Sequence, residues 1–237
     1  MHKVRTAAPA PRPGGAPKPK STGRQYAQSL LVAVLLALFF RQLVVQAFHI
    51  PSSSMEQTLL IGDFLFVNKF LYGAQIPFTG WRLPAVRPPR RGDIIVFKSY
   101  DGRDFIKRCV AVAGDTVEVR AKELYLNGRL QTEAHAQHIV RGIMLPRTSP
   151  RDYFGPRVIG PDSIFMMGDN RDNSEDSRFW GPLAIGRVRG KAIFIYFSGD
   201  KSRRYPFSFY TRTLLFMQYE GYFPPRIRWG RIGRIIH

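Results

Sequence analysis

Residues 26–40 read YAQSLLVAVLLALFF, an apolar run without charge or helix breaker, and it continues past Arg41 through LVVQAF. From Tyr26 to Phe48 that is 23 residues. As a helix, such a run crosses about 30 Å of hydrocarbon, provided that Arg41 reaches back to the interface. No comparable run follows, so one transmembrane anchor is expected over residues 25–47. Residues 1–24 carry Lys3, Arg5, Arg12, Lys18, Lys20 and Arg24, no acid and many prolines. They predict a disordered basic tail. Basic residues ahead of the anchor place the N-terminus in the cytoplasm and residues 48–237 outside it. Two other readings compete: a buried core helix, and a cleaved leader with small residues at Val45-Gln46-Ala47. The long tail and the position of Arg41 oppose cleavage. The prolines oppose an amphipathic mitochondrial presequence.

Residues 48–237 read as a mainly β, extracytoplasmic domain. GDFLFVNKFLY, GDIIVFKSY, DFIKRCVAVAG, DTVEVRAKELYLNGRL, DSIFMMGD and GKAIFIYFS are short β-branched and aromatic runs bounded by Gly, Asp and Pro. Asn127-Gly128 after Glu123-Leu124-Tyr125-Leu126 marks a tight hairpin. Residues 131–161 look like an irregular insertion, and 209–219 carries the only helical pattern in this domain. Cys109 is the single cysteine, which excludes an internal disulfide and reads as a small buried apolar residue.

Three segments hold the chemistry. In Ile50-Pro51-Ser52-Ser53-Ser54-Met55, an extended backbone puts the Ser52 and Ser54 hydroxyls on one side and Ser53 on the other. In Asp104-Phe105-Ile106-Lys107-Arg108, a strand lysine ordinarily faces solvent, but an apolar pocket would lower its pKa and make a neutral amine available as a base. The third, Gly168-Asp169-Asn170-Arg171-Asp172-Asn173-Ser174-Glu175-Asp176-Ser177-Arg178, is a polar loop whose acids and arginines can pair. It lacks the central Gly and final Glu of a calcium loop.

With Arg91-Gly92-Asp93-Ile94-Ile95-Val96-Phe97, these segments resemble, in order and in position behind an anchor, the sequence boxes of bacterial type I signal peptidases. The resemblance covers roughly residues 26–200. It implies coiled antiparallel sheets with a barrel-like catalytic core behind one transmembrane helix. It implies a serine endopeptidase of the plasma membrane, cutting signal peptides from exported preproteins after small residues. Ser54 matches the nucleophile and Lys107 the general base. The Ser52 hydroxyl joins the Ser54 N–H in the oxyanion hole, and Ser174 orients the lysine. Asp169 with Arg108, and Asp176 with Arg178, match structural ion pairs. Phe48, Ile50, Met55 and Ile106 match pockets for small side chains. No cofactor or metal is implied. The chain departs from the family pattern at Ser53, Gln57 and Cys109, and the stretch between Lys107 and Gly168 is short.

The formal net charge is +19. With the anchor, it points to anionic lipid headgroups rather than nucleic acid, and the C-terminal RIRWGRIGRIIH is the segment expected to meet them. Export machinery is a further expected partner. His49, five residues from Ser54, offers a weaker alternative base. Glu133, His135 and His138 read as surface polarity rather than a metal site. A peptidase dedicated to pilus or conjugation proteins, and an inactive lipid-binding protein, are the rival functions.

Overall fold

The computed structural model describes residues 22–43, 45–76, 81–200 and 226–237. Most of the basic tail and the helix expected at 209–219 lie outside these residues. The chain divides into two compact units, Met1–Leu38 and Phe39–His237. The first contains most of helix α1, Thr22–Leu43, where Leu30, Leu31, Leu35 and Leu36 are exposed. Its 22 residues extend about 33 Å at 1.5 Å per residue. No helix among the described residues is long and apolar enough to cross a membrane.

The second unit is mainly β. Its strands are β1 (Val45–His49), β2 (Asp63–Asn68), β3 (Ile94–Lys98), β4 (Asp104–Ala111), β5 (Thr116–Arg120), β6 (Glu123–Leu126), β7 (Arg129–Leu130), β8 (Phe154–Val158), β9 (Ser163–Met167), β10 (Leu183–Ala184), β11 (Val188–Asp200) and β12 (Arg226–Ile227). The larger antiparallel sheet has the order β1-β2-β11-β3-β4-β9-β10, with β12 added to the end of β11. Among the described strands, two pairs, β1–β2 and β3–β4, are thus joined in the sheet through β11, which lies between β2 and β3. Register shifts at Val188/Gly190, Ala192/Phe194 and Ile195/Phe197 bend that strand. The sheet curls accordingly into a half-barrel.

Inside the curl, Ile50, Met55, Leu59, Leu65, Val67, Ile94, Val96, Ala192, Ile195 and Ile236 form one core. Cys109 lies in another, with Ile95, Phe97, Ile164 and Met166. A second sheet, β7-β6-β5-β8, packs on β4 and β9 through Val117, Val119, Leu124 and Leu126. Its β6–β7 turn is Asn127-Gly128 with φ of 53° and 77°, the left-handed pair that a two-residue hairpin requires.

Two expectations change. Residues 131–153 are irregular, but the stretch expected to be loop up to 161 contains β8, paired with β5. Pro156 disguises it; a proline is tolerated there because β8 is an edge strand. The C-terminal arginines also do not all face outward. Arg228 and Arg231 turn in to the buried Asp63 carboxylate, Arg231 at 2.5 Å, and Ile236 enters the core. Asp63 is fully buried, so two guanidiniums compensate its charge where water cannot.

Candidate active site

After β1 the chain passes Ile50-Pro51 and turns back at Ser53, whose carbonyl accepts from the Glu56 N–H. Leu59 N–H donates to Met55 O, closing a helical turn that packs Met55 and Leu59 into the core. The expected extended segment is therefore short, ending at the serines. Even so, Ser52 Oγ and Ser54 Oγ lie 3.3 Å apart. Ser53 diverges, its hydroxyl accepting from Asn173 Nδ2 at 2.8 Å.

Lys107 stands on β4 opposite Ile95 of β3. It is 4% exposed, and its Nζ donates to Ser54 Oγ at 2.5 Å. Burial pushes its amine down to about 8, while Asp176 and Glu175 pull weakly upward. An apolar wall, rather than a cationic neighbour, therefore supplies the neutral fraction near physiological pH. The Ser54 N–H donates to no protein acceptor among the described residues. His49 packs on the Phe64 ring at 4.9 Å, and it is Lys107 that Ser54 Oγ contacts.

The 168–178 loop clamps this pair from behind. Asn170 N–H donates to Ser54 O, and Asn170 Nδ2 to Ser53 O. Gly168 passes so close that a Cβ there would lie 2.5 Å from Ser54 O and collide with Ser174 Oγ. Two buried ion pairs hold the loop. Arg108 engages Asp169 with two parallel bonds of 2.8 Å and also donates to Thr58, Gly92 O and His237 O. Arg178 meets Asp176 at 2.8 Å, and Asp176 caps the four-residue helix α2, Ser177–Trp180. Burial works to raise the Asp176 carboxyl, but the Arg178 guanidinium overrides it and holds the group below the ordinary carboxylate range. Ser174 is buried beside Asp176. Its Oγ makes no hydrogen bond of good geometry among the described residues, to Lys107 or otherwise.

A cleft of about 500 Å³ runs along Ser54 and Lys107. Phe48, Ile50 and Ile106 line it, joined by Ile61, Val96 and Phe105. Met55 does not. It is fully buried in the core and backs the nucleophile turn instead, which corrects its expected place in a pocket. Asn170, Asn173, Gly168 and Thr58 were not singled out in the sequence. The asparagines and the glycine sat within the recognised loop, whereas nothing local marks Thr58. Elsewhere, Glu133 pairs with Arg171 and His138 lies 3.6 Å from Asp172. Among the described residues no His/Cys/Asp/Glu group is arranged to hold a metal.

The half-barrel thus holds a buried lysine amine against a serine hydroxyl on the wall of a cleft. The profile of the family described as signal peptidase, peptidase S26, matches residues 23–197, and the chain belongs to that family. A signal peptidase I from Pseudomonas aeruginosa is 37% identical over 73% of this chain and 72% of its own length. One from Aquifex aeolicus is 34% identical over 74% and 85%. A probable signal peptidase I from a Synechocystis strain is 37% identical over 73% and 81%.

Proposed function

We propose that this chain is a membrane-anchored serine endopeptidase that removes N-terminal signal peptides from exported preproteins. The observation that carries the proposal is the 2.5 Å contact between Ser54 Oγ and the buried Lys107 amine, in a chain of this family. Neutral Lys107 takes the Ser54 proton as Oγ attacks the carbonyl after a small residue. The Ser54 N–H and the Ser52 hydroxyl receive the oxyanion; one such donor is worth about 3 kcal/mol in comparable hydrolases. The lysine then gives its proton to the leaving amine. Water attacks the acyl-enzyme with the same amine as base. Ser174 is the hydroxyl available to steady the lysine once substrate excludes water.

The sheet edges support a strand-like substrate. Among the described residues β1 pairs only with β2, and Asp104–Lys107 pairs only with β3 because β9 begins its contact at Arg108. Both free edges belong to residues that line the cleft, and a peptide lying there can bond as an added strand. Phe48, Ile50 and Ile106 leave room for small side chains of alternating direction.

The anchor reading rests on the apolar sequence from Tyr26 to Leu43, since Val45–His49 belongs to β1 and the anchor is shorter at its end than the expected 25–47, with the basic tail setting a cytoplasmic N-terminus. Ala47 is already paired with Phe66 inside the sheet, so Val45-Gln46-Ala47 is a strand of the fold and a poor cleavage site. The substrates are signal-peptide-bearing preproteins, and a bilayer with anionic headgroups and the export machinery are the surroundings.

The test is cleavage of a preprotein in detergent. Ser54→Ala and Lys107→Ala are each expected to abolish it, and kcat/KM of the unaltered enzyme should rise with pH through an acidic limb near 8. Cleavage retained by either variant sinks the assignment.

A further inference from the structure

The 168–178 loop offers two side chains to the cleft, Asn173 and Glu175, while Ser174 between them is buried. Asn173 is committed: its Nδ2 donates to Ser53 Oγ at 2.8 Å and ties the loop to the nucleophile turn. Glu175 is exposed and makes no hydrogen bond or ion pair among the described residues. The other acids of the loop are engaged, Asp169 by Arg108, Asp172 by Lys122 and Asp176 by Arg178. In a chain of net charge +19, Glu175 is a carboxylate that the fold leaves available on the cleft wall.

The remaining charged and titratable groups of the cleft do not neutralise it. On β4, Arg103 is bonded to Asp101 at 2.5 Å, Asp104 is a second acid, and Lys107 is buried with its amine on Ser54 Oγ. On β1, His49 packs on the Phe64 ring. Glu175 also has a definite side of the nucleophile. Its charge reaches the Lys107 amine, and that amine is the group that hands a proton to the departing nitrogen. The chain that follows the cut therefore leaves past Glu175, whereas the residues ahead of the cut meet the apolar wall of Phe48, Ile50 and Ile106.

We propose that Glu175 sets a charge preference on the leaving side of the cut, favouring substrates with Lys or Arg in the first two residues after it and disfavouring Asp or Glu there. This rests on reading the chain as a signal peptidase. Unit charges about 4 Å apart in water change a rate by about fivefold, and the exchange of a cation for an anion by about tenfold or more; salt screens both. The net positive charge of the chain alone predicts the opposite order, since such a field gathers anionic substrates wherever their charge sits.

The test is kcat/KM in detergent on peptides that span a cut site and differ only in carrying Lys, Gln or Glu at the first, second or sixth residue after it. The unaltered enzyme should prefer Lys to Glu about tenfold at the first or second residue, less in high salt, and should give Lys no advantage at the sixth. Glu175→Gln should bring the ratio close to one, Glu175→Asp should restore it in part, and Glu175→Lys should invert it. Glu175→Gln should also move the acidic limb to lower pH, because Lys107 loses a charge that holds its proton while Asp176, Arg178 and Asp169 stay in place. A change in folding alone would move neither readout. Preference for Glu at all three positions overturns the proposal, as does a Lys-to-Glu ratio that survives Glu175→Gln. An unaltered enzyme that cleaves the series without preference sinks only the role of Glu175, whereas one that cleaves none of the peptides sinks the peptidase reading itself.

Discussion

Lys107 shows what the site costs the protein. Burial lowers its amine from 10.5 to about 8, a difference equivalent to about 3 kcal/mol. The unfolded chain holds that proton up to pH 10.5 and the folded chain only to about 8. Stability at this residue is therefore at its lowest below pH 8, and rises as pH climbs from 8 toward 10.5. Lys107→Met keeps the volume and removes the penalty, at the loss of one hydrogen bond worth about 1 kcal/mol. The variant should be inactive and about 2 kcal/mol more stable at pH 7, with the advantage closing by about pH 10; denaturant melts at both pH values measure it. In the sequence, Lys107 was a strand lysine between Ile106 and Arg108 whose ordinary orientation is outward. Its inward direction depends on Ile95, on the nucleophile turn and on the 168–178 loop, none of them its neighbours in the chain. Resemblance to a family supplied what local pattern could not. The same holds for the choice of Ser54 among three serines, while the Asn173 bond to Ser53 had no signal at all.

At the scale of elements, the 168–178 loop and the nucleophile turn are packed without slack. Gly168 is the point of contact: a Cβ there meets Ser174 Oγ and the Ser54 carbonyl. Neither neighbour can give way, since the first sits in a buried turn and the second is backbone. Gly168→Ala should thus displace Ser54 from Lys107 and lower kcat at least about a hundredfold, a misplacement of about 1 Å being enough for that. KM should change little, because the cleft walls at Phe48 and Ile106 stay in place. Kinetics on a peptide substrate check this. Single elements were the legible part of the fold. Asn127-Gly128 announced its hairpin, and GKAIFIYFS announced a strand. What the strand run could not announce was its partners, because the residues of β2 and β3 that pair with β11 lie about 90 or more positions away. Strand β8 was hidden by Pro156.

At the scale of the molecule, the C-terminal segment is a structural component of the catalytic half-barrel. Arg231 and Arg228 neutralise Asp63, Ile236 fills the core beside Met55 and Leu59, and His237 O accepts from the same Arg108 that holds Asp169. The sequence suggested a basic lipid-facing tail there; the buried Asp63 carboxylate is the reason two of its arginines turn in. Ile236→Ala removes a buried side chain from under the nucleophile turn and should cost about 3 kcal/mol, read as a lowered denaturation midpoint. Activity should fall with temperature sooner than in the unaltered protein.

The position of β11 also sets a clock. Ribosomes make Ser54 and Lys107 early, each in its own hairpin, and the strand that unites the two hairpins ends only at Asp200. A growing chain therefore carries both halves of its chemistry without a working centre, and becomes a peptidase only when its last quarter has emerged.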